Sequence, residues 1–193
     1  MSDTPAPPPI RALGLCGSLR AASTNRLLLG EARRLLDPAG WDEGDLRLPL
    51  YDADLEAAEG IPAAVQRLAG QIRAADAVVI ACPEYNKALP GVLKNALDWV
   101  SRVKGGVWQD KPVAIVSAAA GRAGGERAQF SLRLCLVPLR AQALTGPEVM
   151  IANSGQAFDA QGRLIDPASQ TLLATLMAGL RAAAVARAHR VAE

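Results

Sequence analysis

The run Ala77-Val78-Val79-Ile80-Ala81-Cys82-Pro83-Glu84-Tyr85-Asn86-Lys87-Ala88-Leu89-Pro90-Gly91-Val92-Leu93-Lys94-Asn95-Ala96-Leu97-Asp98-Trp99 reads as strand, loop and helix in direct succession. Ala77 to Cys82 is apolar and β-branched at its centre, the pattern of a strand buried on both faces. Pro83 stops it, because proline has no N–H for the ladder. Pro90 suits the first turn of a helix. From there Val92, Leu93, Ala96, Leu97 and Val100 recur at helical spacing. The polar and aromatic residues between the two prolines therefore sit at the carboxyl end of a buried strand, where open parallel sheets bind their ligands.

Outward from this unit the same alternation repeats. Ile10 to Cys16 is a first strand, and Gly17 to Asn25 is a loop. A helix with Leu27, Leu28, Ala32, Leu35 and Leu36 inward follows to about Leu36, where Asp37-Pro38-Ala39-Gly40 ends it. Asp45 to Leu48 is a short second strand, followed by a polar loop through Tyr51 and Asp54. Pro62 opens a helix to about Ala74, and Pro112 to Ser117 is a fourth strand. Gly121 to Gly125 turns into a helix that runs to about Leu136. Gln142 to Thr145, extended towards Ile151, is a fifth strand; Asn153 to Gly162 is a loop, and Pro167 opens the last helix. Strands alternating with helices give right-handed βαβ units. The fold class expected is α/β: a flavodoxin-like three-layer sandwich, a five-stranded parallel sheet of order 2-1-3-4-5 with helices on both faces. Residues 1–9, rich in proline, form a disordered lead, and residues 10–193 form one domain.

Composition narrows the function. A net charge of +2, with basic residues scattered along the chain, gives no footprint for nucleic acid, and 4% aromatics leave no platform for stacked bases. No signal peptide is visible and no apolar run is judged long enough to span a membrane, so the expected location is cytoplasmic with no membrane partner. The odd count of three cysteines fits a reducing compartment. Cys16 and Cys82 each close a strand; they read either as a redox pair or as small buried side chains, and the second is the default. His189 is the sole histidine and lies far along the last helix, so a catalytic triad is not expected, and no His/Cys cluster has metal-ligand spacing. The chemistry falls to a cofactor.

Three loops have the means to hold one. After the first strand, Ser18, Ser23, Thr24 and Asn25 offer hydroxyl and amide groups, and Arg20 offers a guanidinium fork suited to phosphate. The following helix aims its free N–H groups at the same place. Ser23 reads as the N-cap, yet Arg26 stands where a capping box would have Glu or Gln. An ordinary capped turn is the competing reading. The loop has neither the Walker A pattern nor G-x-G-x-x-G. A response regulator would need carboxylates at the end of the first strand, and there are none. The second loop, with Glu84, Tyr85 and Asn86 behind Pro83, suits a flat heterocycle. The third, Ser117 to Gly125, is small throughout and admits a bulky ligand close to the backbone.

Gly17-Ser18-Leu19-Arg20 with Ser23 and Asn25 resembles the G-S-x-R-x-x-S-x-N phosphate loop of the NADPH-dependent FMN reductase family, flavodoxin-like reductases of quinones, chromate and azo dyes. Pro83-Glu84-Tyr85-Asn86, Pro90-Gly91 and Leu93 to Trp99 resemble that family's P-E-Y-N-x-S-x-P-G-x-L-K-N-A-[IL]-D-W segment, and Ser117 with Gly121 to Gly125 its third loop. Ala88 departs from the serine common there. The resemblance implies that Ser18, Arg20, Ser23 and Asn25, with Thr24 beside them, hold the FMN phosphate. It implies that Pro83, Glu84, Tyr85 and Asn86 border the isoalloxazine, largely through backbone groups, and that Ser117 lies near the ribityl chain or ring edge. It further implies an enzyme that passes a hydride from NADPH or NADH through flavin N5 to a quinone, azo compound or chromate by a ping-pong mechanism, with a small molecule as electron acceptor. The family's homodimers or homotetramers place the site near a subunit contact, where Arg127 and Glu148 would pair. A flavodoxin-type electron carrier is the alternative, disfavoured by the positive charge; a non-catalytic flavin-binding interaction module is another.

Overall fold

The computed structural model describes residues 8–192, so residues 1–7 of the expected lead lie outside the described residues. The sheet is parallel throughout, in the order β2-β1-β3-β4-β5: β2 is Gly40–Gly44, β1 is Arg11–Cys16, β3 is Ala77–Ala81, β4 is Pro112–Ala118 and β5 is Gln142–Ala143. A further strand, β6 (Val149–Ile151), also pairs with β4. The flavodoxin-like order expected from the alternation is the order found.

The strand pattern divides the core in two. In β3, Val78 and Ile80 face one side with Cys82 beyond them; Ala77, Val79 and Ala81 face the other. The first face is covered by α3 (Ala63–Ala74), α4 (Gly91–Arg102) and α5 (Glu126–Leu136), through Val65, Leu68, Ile72, Leu93, Trp99 and Leu132. The second is covered by α1 (Thr24–Leu36) and α6 (Pro167–Ala192), through Leu28, Leu29, Leu173, Met177 and Leu180. Cys16 belongs to the second face and Cys82 to the first. The sheet separates these two thiols, so the redox-pair reading fails and the buried-side-chain reading stands.

Four sequence expectations are corrected. The second strand lies at Gly40–Gly44, not Asp45 to Leu48. It is an edge strand with polar, half-exposed side chains, held by its register with β1 rather than by an apolar pattern. The expected fifth strand is two: β5 lies along the start of β4 and β6 along its end, with Gly146-Pro147 between them, where proline offers the ladder no donor. The polar stretch after Tyr51 contains a helix, α2 (Ala53–Glu59), which buries none of its residues and is started by Asp52, whose carboxylate accepts from Asp54 N–H at 2.8 Å. Finally, Pro167–Arg190 of α6 is long and apolar enough, at a mean hydropathy of 1.3, to cross a membrane by length and composition. In the fold its stripe Leu173, Leu176, Met177, Leu180 and Ala184 is buried against the sheet and α1.

The segment that opens the chain's reading also anchors a neighbour. On α4, the Asn95 side chain accepts from Tyr51 N–H (2.8 Å) and donates to the Pro49 carbonyl (2.9 Å), and Trp99 Nε1 donates to the same carbonyl at 2.8 Å. The loop after β2 is thereby tied to the helix after β3 at the end of the sheet where the strands finish.

Candidate flavin site

At those carboxyl ends, the loops after β1 and β3 are drawn together by backbone geometry. Gly17 N–H donates to the Ala81 carbonyl at 2.8 Å, and a Cβ on Gly17 would stand 3.0 Å from Pro83 Cδ and 3.2 Å from Pro90 Cγ. A side chain here would crowd both proline rings, so glycine lets the first loop pass close to them. Between the loops lies a cavity of about 330 Å³ whose walls include Ser18, Arg20, Ser23, Thr24, Pro83, Glu84 and Tyr85. Tyr85 closes the link: its hydroxyl donates to Ser18 Oγ at 3.2 Å.

The first loop is a cradle of donors. Ser23 is the N-cap of α1, as the sequence indicates, and its Oγ accepts from Asn25 N–H at 3.2 Å. Ser18 Oγ accepts from Tyr85 and from Arg20 N–H (3.4 Å), which leaves its own proton to donate. Thr24 Oγ1 donates to Ser154 Oγ at 3.2 Å, freeing the Ser154 proton in turn. The N–H groups of Ala22, Ser23 and Thr24 and the guanidinium of Arg20 have no partner among the described residues. Arg26, by contrast, is engaged by Glu43 at 3.1 Å. Hydroxyl protons, free amides, a guanidinium and a helix N-terminus thus converge on one wall, an arrangement that accepts an anion and has no carboxylate to repel it.

Several residues expected to touch the ligand do other work. Asn25 is buried, and its amide brackets the backbone of one residue of β4: Nδ2 donates to the Ala118 carbonyl at 2.7 Å, and Oδ1 accepts from Ala118 N–H at 3.0 Å. It ties the start of α1 to the end of β4 and, as expected, also borders the cavity. Ser117 is fully buried and does not line the cavity; its hydroxyl donates to the Gly124 carbonyl at 2.7 Å and accepts from Gln129 Nε2 at 2.8 Å, holding the third loop from beneath. Ser117, expected beside the ribityl chain or ring, thus stands behind the third loop and outside the cavity lining. Asn86 is exposed at the tip of a two-residue hairpin in which Tyr85 and Ala88 exchange backbone bonds at 3.1 Å; Asn86 and Lys87 have φ of 50° and 68°. Asparagine tolerates that left-handed conformation, and its side chain is not part of the cavity wall. Glu84 turns its carboxylate away to cap α5, accepting from Arg127 N–H (3.1 Å) and Ala128 N–H (3.3 Å), so that only its near side faces the cavity.

The opposite wall is formed by Ala118 to Ala120, within the small-residue loop the sequence indicates, and by Ser154 and Gly155, which the sequence reading missed. The alanines offer only backbone, and Ser154 lies in a stretch read as plain loop; Ser154 N–H donates to the Ala119 carbonyl at 3.1 Å, which joins the two. Neither nearby thiol is activated. Burial pushes the Cys82 thiol up to about 12, with smaller contributions from Cys135 and Glu84. Burial also raises Cys16, partly offset by the Ser18 backbone. Both stay protonated, so neither is a nucleophile.

An α/β sheet of this order, with a phosphate-type cradle after β1 and an aromatic loop after β3, defines a flavodoxin-like nucleotide-binding protein. The model of the NADPH-dependent FMN reductase family matches residues 10–156, and the chain belongs to that family: it is an oxidoreductase that works with FMN and NAD(P)H. It is 49% identical over 166 residues to an NAD(P)H-dependent FMN reductase of Pseudomonas aeruginosa, covering 85% of this chain and 89% of that one. It is 43% identical over 164 residues to a quinone reductase of Escherichia coli, covering 81% and 86%. Among solved structures, the flavoenzyme NAD(P)H:(acceptor) oxidoreductase of Paracoccus denitrificans superposes with a TM-score of 0.82 at 30% identity, covering 91% of this chain and 97% of that one.

Proposed function

We propose that the cavity between the loops after β1 and β3 is the FMN site of an NAD(P)H:quinone oxidoreductase. The observation that carries it is the donor-only wall: Ser18, Ser23 and Ser154 hydroxyl protons, the free amides of Ala22 to Thr24 and the Arg20 guanidinium, joined through Tyr85 to the second loop. A phosphate monoester, with its double negative charge and three acceptor oxygens, fits that wall. Pro83, the near side of Glu84 and Tyr85 would flank the isoalloxazine, and Ala118 to Ala120 would approach it with backbone alone. Bound FMN supplies hydride acceptance and donation, which the chain's own side chains do not. The residues contribute binding and orientation: Asn25 and Ser117 fix the third wall, and the Tyr85 hydroxyl sets the spacing between the two loops. Turnover is ping-pong, with nicotinamide leaving before a quinone, azo compound or chromate enters the same open face. The enzyme is one domain over residues 10–193 and works in the cytoplasm, where its three free thiols persist.

It works as a homo-oligomer. Arg127, Phe130 and Leu134 fall on one face of α5, with Val137 at its C-cap in line with them, and the last three are large apolar side chains left 49%, 73% and 70% exposed. That face begins at the helix end capped by Glu84, so a second copy packed there lies beside the flavin. Glu148 is exposed, and an ion pair between it and Arg127 of the other copy would join the two.

The test is direct. Purified protein supplied with FMN turns yellow and oxidises NADPH or NADH when benzoquinone is added, without a second reductase. Protein that takes up no FMN overturns the reading. Flavin that is bound but untouched by either nicotinamide makes the protein a binding module, and flavin reduced only through a partner reductase makes it a carrier.

A further inference from the structure

A second hollow, of about 600 Å³, opens directly from the first: Glu84, Ala119 and Ala120 line both. Its floor is the small-residue loop from Gly121 to Gly125, and its rim carries Lys87, Arg122 and Arg127. The cations outnumber the acids. Of the two carboxylates there, Glu84 is engaged by the Arg127 and Ala128 amides and lies 3.7 Å from Lys87 Nζ, which leaves Glu126 as its one unpaired acid. The guanidinium of Arg122 has no partner among the described residues. A site of about 330 Å³ that holds FMN has no room for a second nucleotide beyond the ring that must stack on the flavin. The remainder of the dinucleotide has to lie outside it, against whatever hollow is continuous with it, and the wall shared through Ala119 and Ala120 points there.

We infer that the hollow between Lys87 and the Gly121–Gly125 loop is the phosphate subsite for the nicotinamide cosubstrate, with Arg122, assisted by Lys87, gripping the 2′-phosphate that distinguishes NADPH from NADH. This rests on the FMN-site reading and adds to it a nucleotide preference. The glycines and alanines of the loop bring no side chain between ligand and backbone, while the planar fork of Arg122 matches two phosphate oxygens. Glu84 does not oppose the anion, because the α5 N-terminus and Lys87 already hold its charge.

The experiment uses FMN-loaded protein with benzoquinone as acceptor and measures kcat/KM for NADPH and for NADH in wild type, Arg122→Ala, Arg122→Lys and Lys87→Ala. The wild type favours NADPH. Arg122→Ala lowers the NADPH to NADH ratio by roughly ten- to a hundred-fold, mainly through KM for NADPH, the range for losing a hydrogen bond to a charged group. Arg122→Lys restores part of the ratio, and Lys87→Ala lowers it by less. In parallel, calorimetric titration with adenosine 2′,5′-bisphosphate gives heat with wild type and little with Arg122→Ala. A ratio unchanged in Arg122→Ala overturns the inference while leaving the reductase reading intact, as does an equal loss for both nucleotides. Flavin that neither nucleotide reduces overturns the reductase reading itself.

Discussion

Replacing Asn25 by alanine separates a tie from a ligand. The side chain makes two buried hydrogen bonds to the backbone of a single residue, at 2.7 and 3.0 Å, and is itself only 3% exposed. Each such bond contributes about 1 kcal/mol net, and each buried backbone group left without a partner costs about 1–3 kcal/mol. Water entering the vacated space recovers part of that, so the expected loss is about 2–5 kcal/mol, a large share of the roughly 5–15 kcal/mol that holds a domain together. Urea unfolding of the FMN-free protein reads it. With a slope of about 1–3 kcal/mol per molar, the midpoint falls by roughly 1–2 M at unchanged slope. Asn25→Asp also loses stability, because its carboxylate accepts from Ala118 N–H yet meets the Ala118 carbonyl with no proton to offer. An unchanged midpoint together with a weakened FMN dissociation constant would refute the reasoning and return Asn25 to the phosphate.

Three further outcomes are expected. Gly125→Ala destabilises the FMN-free protein by about 2–4 kcal/mol in the same urea assay, since φ is 97° there and the new Cβ would stand 2.8 Å from Ser117 Cβ; a loss below half that range argues against the packing described. Lys111 is fully buried with Nζ donating to the Arg73 and Ala75 carbonyls, and burial, reinforced by Arg187 and opposed by Asp76, pulls it down to about 8. The folded state therefore binds fewer protons than the unfolded one between about pH 8 and the ordinary lysine value, so Lys111 makes stability rise with pH across that window; comparing the unfolding free energies of wild type and Lys111→Met from pH 7 to 10.5 shows that rise lost in the variant. Leu134→Glu, at a position 73% exposed, leaves the fold intact and weakens self-association by roughly thirty-fold or more, as read by sedimentation; an unaltered oligomer places the interface elsewhere.

What the sequence made legible follows from where side chains carry a signal. β3 and β4 are runs buried on both faces, and the short, β-branched Val78-Val79-Ile80 and Val113-Ala114-Ile115-Val116 between breaking residues mark central parallel strands. β2 is held from outside, by its register with β1, and its Gly-Trp-Asp-Glu-Gly composition gives no pattern to find. The two site loops were legible because their polar residues interrupt apolar runs at the ends of strands. The direction each side chain takes was not: Asn25 ties its amide to Ala118 while still bordering the cavity, Ser117 points into the protein, and Asn86 stands away from the cavity. A motif specifies residue types and spacing, whereas orientation is decided by partners such as Ala118, Gly124 and Gln129 that lie far along the chain. The Ala118–Ala120 wall was legible only as a run of small residues, whereas Ser154 and Gly155 lie in a stretch with no pattern to mark them.

The most direct measurement is a crystal structure of the protein with FMN. It should show the phosphate within hydrogen-bond distance of the Ser18 and Ser23 hydroxyls, the Thr24 amide and the Arg20 guanidinium, with the isoalloxazine against Pro83 and Tyr85. FMN seated elsewhere, with the space between the two loops free of flavin, would contradict it.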